Sequence, residues 1–159
     1  GAATVLAESA LPASMAHLNT DASGRWLFSA SYGAHLVAVQ PLLAGGLVGT
    51  ASVHATGPNA HCTQVHPSNQ WVLAASLDGG QLHRYRFDAA TGTLEPTEPP
   101  TVPMPQGTGP RHLRFNRAGD RVYLLGELDA FAVALIQKVP QLVFQSGQLA
   151  RERRLGDVQ

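Results

Sequence analysis

The chain has 159 residues and a formal net charge of zero, with 44% hydrophobic and 14% charged residues, which suits one globular domain with a sizeable core. Arg25 is the only Lys or Arg before Arg84, so no broad basic face is on offer and a polynucleotide partner is not expected. No apolar run reaches the roughly 18 residues of a membrane span, the first residues lack a signal-peptide pattern, and the single Cys62 cannot build a disulfide framework. The expectation is a soluble protein, away from membranes, with the cytoplasm favoured.

Predicted elements fall into three similar units in chain order. The first, about 11–57, places a short strand at Ala16–Thr20, a polar turn DASG, an apolar strand, a break at SYGA and a second strand through LVAVQ, followed by the hairpin turn LAGGL. The second, about 58–109, repeats this with Ala60–Val65, then HPSNQWVLAASLDGGQLHRYRF and the turn DAATGTL. Its final stretch, EPTEPPTVPMPQGTG, carries five prolines and reads as a long loop. The third, about 110–150, runs through Arg111–Phe115 and NRAGDRVYLLGELDAFAVALI, leaving 151–159, with its RERR, as a solvated tail.

Gly24, Asn69 and Gly119 anchor the three polar turns and stand 45 and 50 residues apart. Periods of about 40–50 residues with four short strands each are those of propeller blades. The fold class expected is therefore all-β: four-stranded antiparallel blades of a β-propeller, about three of them, forming a single partial domain over 1–159. Trp26 and Trp71 share one repeat position and are expected to pack blade against blade. The chain does not begin with Met, and its end blades have one neighbour each, so it is expected to be a piece of a longer protein or to self-associate through open blade edges.

The stretch GTGPRHLRF, residues 107–115, raises a separate question, because it sets Arg111 and His112 behind two glycines and a proline. It lacks the third glycine of a dinucleotide loop and leads into a strand, which argues against phosphate cradling by a helix start. Counting back from the anchors, Arg111 shares a position with His61 and Ala16, and His112 shares one with Cys62 and His17. The innermost strand of a blade starts at one mouth of the central channel, so Arg111 and His61 are expected to converge there. Glu127 lies eight residues beyond its anchor, where the next strand returns to the same mouth. A cation, a base and an acid thus share one candidate pocket. Strand alternation turns His112 away from Arg111, so it joins the substrate-binding candidates only as that arginine's neighbour. His17, His35, His54, His66 and His83 read as surface or packing residues. His61, Cys62 and His66 match no zinc spacing, and neither a metal nor a cofactor is expected.

At GPNAHCTQVHPSNQW, YRFDAATGTL, GTGPRHLRFNRAGDRVYLL and GELD the chain resembles the propeller-type 6-phosphogluconolactonases, whose fold includes the carboxymuconate cyclases. The resemblance runs from about Leu11 to Leu135 and implies a seven-bladed propeller of which this chain supplies about three blades. It implies hydrolysis of a sugar δ-lactone such as 6-phosphogluconolactone to the open acid, a step of the pentose phosphate pathway, with a small-molecule lactone as partner. Carried over residue by residue, it implies a catalytic histidine at His61, a catalytic and substrate-binding arginine at Arg111 and an acid/base glutamate at Glu127. Gly126, Ser31 and Ser76 stand where the family usually has Asn or Asp, and the blade bearing a further pocket arginine is missing.

The residue types suit the chemistry. Lactone hydrolysis needs water delivered to a carbonyl, donors for the oxyanion and a proton for the leaving ring oxygen. Arg111 offers fixed donors, and either Glu127 or His61 can act as general base and acid. The competing expectation is a noncatalytic propeller scaffold for binding, which the missing blades and the departures at Gly126, Ser31 and Ser76 favour.

Overall fold

The computed structural model describes residues 3–127 and 132–136. Strands β1 (His17–Thr20), β2 (Trp26–Ser31), β3 (Leu36–Pro41) and β4 (Ser52–Ala55) pair in sequence order as one antiparallel sheet. β5 (Ala60–Val65), β6 (Trp71–Ser76), β7 (Gln81–Asp88) and β8 (Thr93–Pro103) form a second sheet of the same order. β9 (Pro110–Phe115), β10 (Arg121–Gly126) and β11 (Ala132–Ile136) begin a third. These are consecutive propeller blades, as the repeat implied, and the outer strand and tail expected after Leu135 lie outside the described residues.

Two apolar layers glue the blades together. Phe28, Ala30, Val37 and Val39 of the first blade pack on Val72, Ala74, Tyr85 and Phe87 of the second, with the Phe28 and Phe87 rings edge to face at 5.0 Å. Leu73, Ala75 and Leu82 emerge on the second blade's opposite face and meet Leu113, Val122 and Leu124 of the third. Alternation along β6 therefore feeds both layers, and every residue from Val72 to Ser76 is buried. Each fully buried Val, Leu or Phe here contributes about 1.5–3 kcal/mol. Along β10 the alternation stays one-sided, leaving Tyr123 and Leu125 at 43% and 48% exposure on the face away from the second blade.

The proline-rich stretch corrects the sequence reading. Thr93–Pro103 is a strand, not a loop, pairing with β7 as Phe87 with Leu94, Tyr85 with Pro96 and His83 with Thr101. The register jump between the last two pairs lets residues 97–100 bulge outward, and Arg84 reaches under the bulge to the Pro99 carbonyl at 2.6 Å. Prolines are tolerated because β8 is the outermost strand and needs backbone donors on one side only.

Polar latches join the blades at the turns. Asp21 opens the first turn and accepts from Arg25 N at 2.8 Å and Trp26 N at 3.0 Å, which shapes its own blade. The same carboxylate accepts from Asn69 Nδ2 of the second blade at 2.8 Å. One blade on, His66 occupies the matching position and donates from Nε2 to the Gly119 carbonyl at 2.9 Å. Gly119 has φ +75°, and a Cβ there would meet His66 Nε2 at 2.5 Å, so only glycine closes this joint without strain. Trp26 donates to the Ala89 carbonyl of the second blade at 3.0 Å, the blade-to-blade role expected of it.

Candidate active site

The opposite ends of β5 and β9 carry the candidate chemistry. In each strand the register slips by one residue at the same place: Ala60 pairs with Ser76 and Cys62 with Ala75, while Pro110 pairs with Gly126 and His112 with Leu125. The unpaired residues are His61 and Arg111. A bulge re-aims the residue it inserts, and here two successive blades bulge at equivalent positions. The first blade's inner strand begins only at His17 and runs in unbroken register.

His61 and Arg111 meet. Arg111 Nε lies 3.1 Å from His61 Nε2, and an arginine has only donors, so the histidine nitrogen accepts. That fixes the His61 proton on Nδ1, which is buried with no hydrogen-bond partner. Burial first, then the neighbouring His112 and Arg111, hold the imidazole below its ordinary value of 6.5, with its own backbone and Glu127 opposing. Neutral His61 is the state that accepts from Arg111.

Glu127 follows β10 directly, and its backbone N–H donates to the Gly109 carbonyl at 3.0 Å, tying it to the approach of β9. Its Oε2 lies 3.9 Å from Arg111 Nε, an ion pair with both side chains about two-fifths exposed. The single Nε hydrogen goes to His61, so Glu127 keeps its oxygens available to solvent. His61 and Arg111, from one repeat position in successive blades, and Glu127, from another, thus stand in one group.

His112 joins the group through His61. Its ring lies edge to face on His61 with centroids 4.8 Å apart, because the bulge at Arg111 interrupts the alternation that would have set them on opposite faces. Two further neighbours were missed in the sequence. His17 of β1 stands 6.3 Å from His112, and Tyr32, just after β2, stands edge-on to His61 at 6.0 Å. Both have a repeat signal: His17 shares its position with Cys62 and His112, and Tyr32 shares its position with Glu127.

The departures from the family pattern have a structural account. Ser31 Oγ donates to the Ser14 carbonyl at 2.7 Å, and Ser76 Oγ to the Pro58 carbonyl at 2.6 Å. At Gly126 a Cβ would lie 2.3 Å from the Thr108 carbonyl oxygen. Two serines staple the strand end to the incoming chain, and glycine lets that chain take the side chain's place. Among the described residues no group of three or more His, Cys, Asp or Glu converges as a metal site, and no helix is long and apolar enough to cross a membrane.

A guanidinium held by a neutral imidazole and flanked by an exposed carboxylate presents donors and a proton acceptor to one small ligand. The family model "Lactonase, 7-bladed beta-propeller" matches residues 1–148. A 6-phosphogluconolactonase of Pectobacterium carotovorum subsp. carotovorum is 35% identical over 98% of this chain and 45% of the relative. One from Klebsiella pneumoniae is 36% identical over 82% of this chain and 39% of its own length. The structure of the Pseudomonas aeruginosa periplasmic gluconolactonase superposes with a TM-score of 0.68 at 28% identity, over 76% of this chain and 38% of that one. The chain spans less than half the length of these proteins. Its blades, their register and this match together make it a member of the seven-bladed β-propeller lactonase family.

Proposed function

We propose that this chain supplies one wall of a lactone-hydrolysing site, with 6-phosphogluconolactone or a close sugar δ-lactone as substrate. The observation that carries the reading is Arg111, aimed by its bulge between neutral His61 and exposed Glu127. The names of the relatives supply the substrate class.

The hydrogen bonding supports one division of roles. His61 Nε2 is spent on Arg111 and its Nδ1 proton is buried, so its part is to hold the guanidinium in place. Glu127 is then the base. It takes a proton from water as the water oxygen bonds to the lactone carbonyl carbon, and the oxyanion that forms faces the terminal nitrogens of Arg111. On collapse the bond from carbon to ring oxygen breaks, and Glu127 returns its proton to that oxygen. Removing a donor of this kind costs about 10²–10³ in rate.

A propeller pocket is walled from all round the ring, and correct positioning accounts for about 7–11 kcal/mol of a barrier. The 159-residue chain alone is therefore expected to hydrolyse 6-phosphogluconolactone little above its spontaneous opening, whereas a protein carrying these blades within a full ring turns it over. Absence of turnover from the full ring, once background opening is subtracted, would leave the noncatalytic scaffold as the better reading. Cytoplasmic placement rests on the unpaired Cys62 alone, and the Pseudomonas neighbour is named periplasmic, so cell fractionation decides it.

A further inference from the structure

Three imidazoles, one from the innermost strand of each blade, form a file beside Arg111. His61 of β5 touches His112 of β9, and His112 stands 6.3 Å from His17 of β1. The ring-opening steps use only the first of them. At the register position that His17 and His112 occupy, the second blade has Cys62, which is wholly buried, so packing at that position asks for a small apolar group. The two histidines are instead half-buried.

Hydrogen bonding fixes what each offers. His17 Nδ1 accepts the Thr63 backbone N–H at 3.4 Å, so the neutral ring carries its proton on Nε2, and that nitrogen is a donor. His112 makes no side-chain hydrogen bond among the described residues, leaving both its nitrogens to a ligand. Arg111 engages His61 and Glu127 through Nε, and its terminal nitrogens carry four more hydrogens in a planar fork. Donors thus come from two blades at one edge, and the acidic side chain touching the group, Glu127, lies against Arg111.

We propose that His17 and His112, together with the terminal nitrogens of Arg111, form a receptor for a phosphate monoester carried by the substrate, beside the ring-opening site. That the phosphate belongs to the substrate rests on the lactone reading above, but the receptor itself needs no turnover. A tetrahedral oxyanion accepts hydrogen bonds in several directions at once, which suits donors from separate strands. The receptor separates phosphorylated lactones from neutral ones, since a neutral hydroxyl accepts more weakly than a phosphate from charged donors.

Charge linkage adds a second signature. Burial first, then His112 and His61, hold the His17 imidazole below its ordinary value, so the empty receptor favours neutral His17. A bound dianion favours protonated His17, and proton uptake accompanies binding. His61 faces His112 from β5, and Arg111 and Tyr32 join the group through His61, with Glu127 beside Arg111.

The test uses inorganic phosphate and the 159-residue chain, at ionic strength held constant with sodium chloride, reading imidazole C–H resonances by NMR. His17 and His112 signals, assigned by loss in H17Q and H112Q, are expected to shift and saturate while His35 stays still as a marker of the folded state. Binding is expected to strengthen from about pH 8 to about pH 6. It should weaken about tenfold or more in the H17Q/H112Q double variant, as the loss of charge-assisted bonds requires. Unmoved His17 and His112 signals, or undiminished binding by the folded double variant, would overturn the receptor. Phosphate binding without lactone turnover by the full ring would fault the hydrolase reading alone.

Discussion

Each innermost strand has two ends, and the two ends obey different rules. At the turn end, Asp21 and His66 each reach from their own blade to the anchor of the next, Asn69 and Gly119, so one joint is built twice at matching positions from different residues. At the channel end the equivalent positions diverge: Arg111 stands against His61, while Glu127 takes the place held by Tyr32 and Leu77. Where the repeat conforms, its residues hold blades together; where it breaks, side chains gather that packing does not need. The contrast is a physical one, since a joint between identical neighbours must repeat and a pocket for an asymmetric ligand must not.

Substitutions at the two ends should therefore separate turnover from stability. The largest effect is expected from Glu127→Gln in a protein carrying the full ring, where turnover falls by about 10²–10⁴ while KM and melting temperature hold, because the amide keeps the shape and loses the proton acceptor. Gly119→Ala should do the reverse. The new methyl group combines a left-handed backbone with a clash on the His66 ring, costing about 1–3 kcal/mol in denaturant unfolding and leaving phosphate binding at the channel end in place. Equal losses of stability from both variants would erase the distinction between the ends.

A smaller effect concerns acid. Burial disfavours the Asp21 charge, but bonds from Ser23, Asn69 and Trp26 outweigh it and hold the carboxyl at about 2 against an ordinary 3.8. A depressed folded value means the latch contributes fully above the ordinary range and is lost as pH falls from about 4 toward 2. Thermal melts across that window should decline more steeply for the wild type than for Asp21→Asn, which has no charge to lose; matching slopes would show that the latch does not depend on ionisation.

Much of this was legible in the sequence, for reasons that differ by residue. The repeat disclosed the blades because alternation and turn chemistry recur at a fixed period, and counting from the anchors was enough to bring His61, Arg111 and Glu127 to one place. Alternation was the poorer guide at His112, since it assumes an unbroken ladder and no residue type announces the bulge at Arg111. His17 was passed over as packing although its register matched His112. The proline run misled for another reason: five prolines argue against a central strand but not against an outer one, and edge position is a property of the sheet, not of the segment.

The central claim is that Arg111, at the repeat-breaking end, acts on substrate and not on the fold. Its most direct test is Arg111→Ala in the full-ring protein, with 6-phosphogluconolactone turnover above the spontaneous rate and unfolding free energy measured on the same preparation. The account predicts a turnover loss of about 10²–10³ with an unfolding free energy within about 0.5 kcal/mol of wild type. Unchanged turnover, or a loss of turnover that only tracks a loss of stability, would contradict it.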